Sequence, residues 1–365
     1  MSEWQTFCLK DLGKIVGGAT PPTNNPKNYG NKIAWITPKD LSTLQGCYIK
    51  KGSRSISRLG FKSCSCVLLP KHAILFSSRA PIGYVAIAEK RLCTNQGFKS
   101  IIPNKKIYFE FLYYLLKYHK DNISNIGGGT TFKEVSGATL GLFQVKIPPT
   151  YYEQQKIART LSILDQKIEN NHKINELLHN FAHKIYEYYF KYKPKNAKLE
   201  QIIIENPKSS IMVKNAQKTQ DKYPFFTSGD NTLSYPKAII DGRNCFLNTG
   251  GNAGIKFYVG KASYSTDTWC IGANEFSDYL YLLLSSIKNH INQSFFQGTS
   301  LKHLQKNLLK KYPIYMPSAH EIKKFNQIIM PLLTLISINT RTSKKLEQIR
   351  DFLLPLLLKQ QVKPK

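Results

Sequence analysis

Apolar residues between Tyr151 and Tyr189 recur at helical steps of three and four: Ile157, Leu161, Leu164, Ile168, then Leu178, Phe181, Ile185 and Tyr189. That spacing predicts one long amphipathic helix with a coiled-coil seam. It begins after Pro148-Pro149 and stops before Pro194, where helix boundaries are expected. The same pattern returns after Pro317. A shift of 168 positions pairs Ile157 with Phe325, Leu161 with Ile329, Leu164 with Leu332 and Ile168 with Ile336. It also pairs Leu178 with Leu346, Phe181 with Ile349, Ile185 with Leu353, and Asn171 with Asn339. A polar residue at a seam position costs stability and fixes register. Pro331 has no equivalent in the first helix and is expected to kink or delay the second.

The repetition extends upstream. Gly129-Thr130-Thr131 matches Gly298-Thr299-Ser300, and Ile147-Pro148 matches Met316-Pro317. Further back, Ala34-Trp35-Ile36-Thr37 with Asp40 resembles Pro224-Phe225-Phe226-Thr227 with Asp230. The stretch Ser77–Gly83 resembles Asn248–Gly254. The falling offset places about twenty extra residues in the first copy, between Asp40 and Ser77. Short β-type runs such as Ala73–Phe76 and Tyr84–Ala88 are broken by Gly, Pro and Asn. One helical stretch lies inside each copy, 108–123 and 276–291, with apolar stripes that mark core helices. The expected architecture is α+β: two globular domains of α/β type in pseudo-repeat, joined by two long helices that return on each other as an antiparallel coiled coil. The expected segments are 1–150, 151–193, 194–317 and 318–365. A wholly helical 151–190 makes a rod about 60 Å long.

Charge narrows the function. Fifty-two Lys+Arg against 23 Asp+Glu give +29 over 365 residues, and the cations are spread along the chain, which points to a polyanionic partner, nucleic acid first. The opening stretch does not read as a signal peptide, and the apolar run at 328–338 is too short to span a bilayer. Seven cysteines without framework spacing fit a reducing cytoplasm. Cys64-Ser65-Cys66 lacks a second ligand pair and reads as free thiols. His179 and His183 lie four apart, but Glu347 and Asp351 replace them in the other copy, so a solvated helix face is preferred to a metal pair. No phosphate loop, dinucleotide fingerprint, zinc motif or serine elbow is present. Ile147-Pro148-Pro149-Thr150 lacks the polar and aromatic flanks of an amino-group methyltransferase loop.

Loop-borne cations and amides remain as candidates for binding DNA. In the first copy they are Lys39, Lys51, Arg54, Arg58, Lys62, Arg79, Asn95, Gln96, Lys99, Thr130 and Lys133; in the second, Lys237, Arg243, Asn248, Asn252, Lys256, Thr268, Thr299 and Lys302. Lys and Arg suit phosphates, Arg suits guanine, and Asn and Gln suit adenine.

The stretch GGGTTFKEVSGATLGLFQVKIPPTYYEQQKIARTLSILDQKI resembles the junction between a target recognition domain and a conserved helix in specificity subunits of type I restriction-modification systems. WITPKDL at 35–41, LCTNQGFKSIIP at 92–103 and KLEQIRDFLLPLLL at 345–358 are similar to further family hallmarks. The resemblance implies two target recognition domains, each reading half of a split DNA sequence, and helices that act as a ruler. It implies a chain without catalysis of its own, docked to methyltransferase subunits, two in number, and to restriction subunits. S-adenosylmethionine, ATP and magnesium would belong to those partners. Half-site centres are expected roughly one helical turn of DNA apart. The alternatives are the recognition subunit of a type II system with a fused methyltransferase-nuclease, or a coiled-coil scaffold that binds DNA without specificity.

Overall fold

The computed structural model describes residues 3–129, 133–216 and 222–364. The chain packs as two compact units, Met1–Glu169 with Lys345–Lys365, and Asn170–Lys344. Both long helices are therefore shared: each unit contains part of Tyr151–Tyr186 and part of Ala319–Leu358.

In the first unit a five-stranded sheet runs in the order Gly13–Gly17, Lys99–Pro103, Ile74–Phe76, Val85–Ala88, Tyr48–Ile49. Its middle strands place Ile74 opposite both Ile101 and Ile87. Helix Phe109–Asn125 buries Phe111, Leu112, Leu115 and Leu116 against that sheet. The same core takes in Ile157 and Leu161 from the first long helix, and Leu354, Leu357 and Leu358 from the second. A smaller sheet has Tyr29–Ile36 at its centre, antiparallel to Arg54–Ile56 and parallel to Cys93–Thr94.

The second unit repeats this plan. Its larger sheet runs Ile204–Glu205, Thr268–Gly272, Arg243–Asn248, Ile255–Val259. Its smaller sheet centres on Tyr223–Phe226, antiparallel to Leu233–Tyr235 and parallel to Ser263–Tyr264. The extra residues of the first copy form helix Pro38–Ser42, strand Tyr48–Ile49 and helix Arg58–Lys62, which the second unit lacks. Mixed helix and sheet, present twice, agrees with the expected class.

Both long helices start with the same reciprocal cap. Thr150 Oγ1 accepts from the Glu153 amide and donates to its carboxylate, each at 3.2 Å. In the second helix the Ser318 amide donates to Glu321 Oε2 at 2.9 Å, and the Glu321 amide donates to Ser318 Oγ at 3.3 Å. The first helix ends in a π turn, Glu187–Lys191, which brings Phe190 into the core 4.9 Å from Phe325 and 5.2 Å from Tyr279, centroid to centroid.

Within each unit the two helices pack antiparallel. In the second, Asn171 Nδ2 donates to Ser343 Oγ at 3.2 Å and Asn339 Nδ2 to Asn175 Oδ1 at 3.0 Å. Ser343 and Asn175 occupy equivalent places in the repeat, so the two hydrogen bonds are copies of each other. In the first, Arg350 Nη1 donates to Asp165 Oδ1 at 2.6 Å, and the Tyr114 hydroxyl donates to Asp165 Oδ2 at 2.6 Å.

Two expectations change here. Pro331 does not delay the second helix, which is continuous from Ala319 to Leu358. Pro331 is exposed, while Ile329, Leu333 and Ile336 hold the turns on either side in the core; this packing offsets the lost hydrogen bond. Phe181 and Ile349 leave the seam, 54% and 47% exposed. The inward positions are the next ones along, Ala182, fully buried, and Arg350 with 15% of its side chain exposed. Among the described residues no helix is long and apolar enough to cross a membrane.

Arg350→Met leaves the Asp165 carboxylate buried without its counter-ion, at a cost of about 3–5 kcal/mol. Hydrogen exchange is expected to speed up in the core amides of Met1–Glu169 and to stay unchanged in the core of Asn170–Lys344. Hydrogen bonds from the Ser318 amide and then the Tyr315 hydroxyl push the Glu321 carboxyl down from 4.5 to about 2. Its contribution to stability is therefore present above about pH 4.5 and is lost as the pH falls to about 2. Melting curves of Glu321→Ala should lie below those of the parent at neutral pH and converge with them toward pH 2.

Candidate nucleic-acid interface

The smaller sheet of the first unit gathers candidate residues by its strand directions. Tyr29–Ile36 and Cys93–Thr94 run parallel and leave the sheet at the same end, while the antiparallel Arg54–Ile56 enters there. That end therefore collects Thr37–Asp40, Asn95–Gly97 and Lys50–Arg54. Asp40 straps the loops together: its carboxylate accepts from the Thr37 amide, the Thr37 hydroxyl and the Ser53 amide, each at 2.7 Å. Although burial opposes it, the hydrogen bonds from Ser53 and Thr37 hold this carboxyl below its ordinary value. The strap leaves Lys39, Lys51 and Arg54 exposed. Arg54 stands over the Tyr29 ring, 5.9 Å from its centroid.

Asn95 and Gln96 arrive beside them. The Asn95 amide donates to Ile36 O at 2.9 Å, and Asn95 Oδ1 accepts from the Gly97 amide at 3.0 Å. A Cβ at Gly97 would come within 3.0 Å of Pro38, so a larger residue would displace the turn. Gln96 is exposed and accepts a hydrogen bond from the Thr20 hydroxyl. Arg58 and Lys62 are exposed too, but their helix follows Ile56 at the opposite end of the sheet. Adjoining Gly97, whose carbonyl accepts from the Ser78 amide at 2.8 Å, Arg79 and Lys99 share the Glu134 carboxylate, each at 3.4 Å. Lys133, next to that carboxylate, is exposed. Thr130 lies outside the described residues.

The second unit treats its candidates differently, and four of them turn inward. Arg243 ion-pairs with the buried Asp278 and donates to Thr334 Oγ1 at 2.9 Å, because a buried carboxylate needs a counter-ion. Burial pushes the Asp278 carboxyl up, against that pairing. Asn248 is buried and donates to Asn252 O at 3.1 Å, and the absence of a side chain at Gly254 makes room for it. Thr268 is buried, with its hydroxyl on Phe226 O at 3.2 Å. Lys256 donates to Thr227 O at 2.6 Å and also to Gly229 O, so its ammonium shapes the loop that Asp40 shapes in the first unit. These four side chains are engaged within the fold.

Asn252, Thr299 and Lys302 stay exposed on two adjoining loops, where the Gly251 amide donates to Lys302 O at 2.9 Å. Lys237 is exposed at the Tyr223 end of its sheet, away from Thr227. His179 is not on a solvated face: it meets the Tyr281 hydroxyl at 3.3 Å, and burial lowers its pKa. Among the described residues no group of three or more His, Cys, Asp or Glu is placed to hold a metal ion. The organising residues that the charge pattern did not single out are Asp40 and Glu134. For Asp40 the available signal was its recurrence as Asp230.

Residues 1–180 and 195–348 match the family model described as type I restriction modification DNA specificity domain. The chain is 33% identical, over 98% of its length, to the type I restriction enzyme MjaIX specificity subunit of Methanocaldococcus jannaschii, of which it covers 93%. It is 30% identical, over 47% of its length, to the putative MjaX specificity subunit of the same organism, covering 38% of that protein. Among solved structures it resembles the type I restriction-modification S subunit from M. genitalium, with a TM-score of 0.67 at 17% identity, covering 98% of this chain and 96% of that one. This last likeness bears on the fold alone.

Proposed function

The chain belongs to the type I restriction-modification DNA specificity family, and on that premise we propose that it reads a bipartite DNA target and directs partner subunits to methylate and cleave. The observation that carries the reading is the repeated small sheet, with loops at one strand end and, in the first unit, Lys39, Lys51, Arg54, Asn95 and Gln96 grouped there. A surplus of 29 positive charges supports a polyanionic partner.

Each unit reads one half-sequence through these loops. The first supplies the larger share of the DNA-binding surface, because it carries Pro38–Ser42 and Tyr48–Ile49, which the second lacks, while the second spends Arg243 and Lys256 on its own fold. The two long helices form an antiparallel coiled coil that sets the unread spacer, with half-site centres roughly one turn of DNA apart. Methyltransferase subunits, one for each repeat, dock on these helices, and restriction subunits join them. The chain has no catalysis of its own, and S-adenosylmethionine, ATP and magnesium are bound by the partners. The names of the relatives give no support to the type II or non-specific alternatives.

Methylome sequencing of cells with and without this chain tests the reading: a split motif should disappear on deletion, and a contiguous motif or no change would refute it. In binding assays with a duplex carrying that motif, Lys51→Ala with Arg54→Ala should weaken binding at least tenfold. The slope of log affinity against log salt should flatten by about 0.9 for each phosphate that the variant no longer neutralises. Lys256→Met should instead lower thermal stability.

A further inference from the structure

Three thiols meet beneath the loops of the first unit. Cys64 and Cys66 follow helix Arg58–Lys62, in the region the second unit lacks, and Cys93 lies on the strand beside Trp35. The Cys64 and Cys66 sulfurs are 3.2 Å apart, and Cys93 interacts side chain to side chain with Cys66. Cys66 Sγ donates to Ala19 O at 3.1 Å, the carbonyl that also accepts from Trp35 Nε1 at 3.0 Å. All three are free thiols; Cys93 and Cys66 are buried and Cys64 is partly exposed. With no metal-binding group among the described residues, the chemistry left to two sulfurs in contact, one of them reachable from solvent, is thiol–disulfide exchange.

We propose that Cys64 and Cys66 form a reversible dithiol–disulfide couple that reacts with low-molecular-weight disulfides. The Cys64 thiolate attacks one sulfur of the reagent, its S–S bond breaks, and one reagent thiolate leaves. The Cys66 thiolate then attacks the Cys64 sulfur and expels the second. Two protein thiols are oxidised, one disulfide is reduced to two thiols, and the two protons pass to those thiols. Burial holds the Cys64 thiol above its ordinary range, so exchange speeds up with pH as the thiolate fraction grows. Oxidation removes the proton that Cys66 gives to Ala19 O. The Ala19 amide donates to Thr94 O at 3.0 Å, and the neighbouring Thr20 hydroxyl holds Gln96. The couple therefore touches the first half of the candidate interface and has no counterpart in the second.

Oxidised glutathione is the probe, applied to the full folded chain, followed by alkylation and peptide mass spectrometry. The parent should gain a Cys64–Cys66 link that dithiothreitol reverses, forming about tenfold faster at pH 8 than at pH 7. Cys66→Ser should trap glutathione on Cys64, with at least tenfold higher occupancy than in the parent. Cys64→Ser, at the partly exposed position, should take up none and form no link, while Cys93→Ser should keep the Cys64–Cys66 link. A Cys66–Cys93 link, an unmodified Cys64 in both the parent and Cys66→Ser, or loss of the link in Cys93→Ser would overturn the proposal.

Discussion

Neither globular half completes its core without the long helices. In the first unit Ile157 and Leu161 from one helix and Leu354, Leu357 and Leu358 from the other close the core beneath helix Phe109–Asn125. In the second, Ala182 and Tyr186 from one and Phe325, Ile329, Leu333 and Ile336 from the other do the same. Burying such side chains is worth on the order of 1.5–3 kcal/mol each, so the helices belong to the domains as much as they join them. Polar contacts then choose the register among the many that apolar packing would tolerate. Asp165 with Arg350 does this in one unit, and Asn171 with Ser343 and Asn175 with Asn339 in the other. A one-residue slip would leave the Asp165 carboxylate buried and unpaired, which is the costliest error available to this packing.

The loops at the end of each small sheet hang from strands that pack in smaller cores of their own, with Ala34 and Ile36 in the first unit and Phe226 and Tyr264 in the second. Within those loops the two copies reach rigidity differently. The first uses an acid, Asp40, to collect amides, and so leaves its cations outward. The second uses a cation, Lys256, to collect carbonyls, and so consumes one. With 52 cations and only 23 acids in the chain, most basic side chains have no carboxylate to meet.

The duplication was legible because apolar period and turn residues repeat together: one shift of 168 carried the helix seams and both Asn positions. Antiparallel packing followed from a domain lying between the helices. What the pattern could not show was direction at the level of single side chains. Phe181 and Ala182 are neighbours at a seam where heptad counting favours the larger residue, yet the smaller one fits against the partner helix. Arg243 reads as a loop cation until Asp278, 35 residues later, is seen buried beside it. Thr268 satisfies the Phe226 carbonyl, which only the fold brings close. Cys93, on the strand paired with Trp35, meets Cys66 from a loop distant in sequence, a contact with no local signature.

Each packing unit includes its own stretch of both helices, so on the proposed function each is a separate reader. The second unit is a single continuous segment, Asn170–Lys344, so it can be exchanged whole for the corresponding segment of the MjaIX specificity subunit. The direct test is methylome sequencing of cells that carry this hybrid with its methyltransferase partner. A split motif is expected in which one half is unchanged from the parent and the other half is new. Loss or alteration of both halves in a folded, partner-bound hybrid would contradict it.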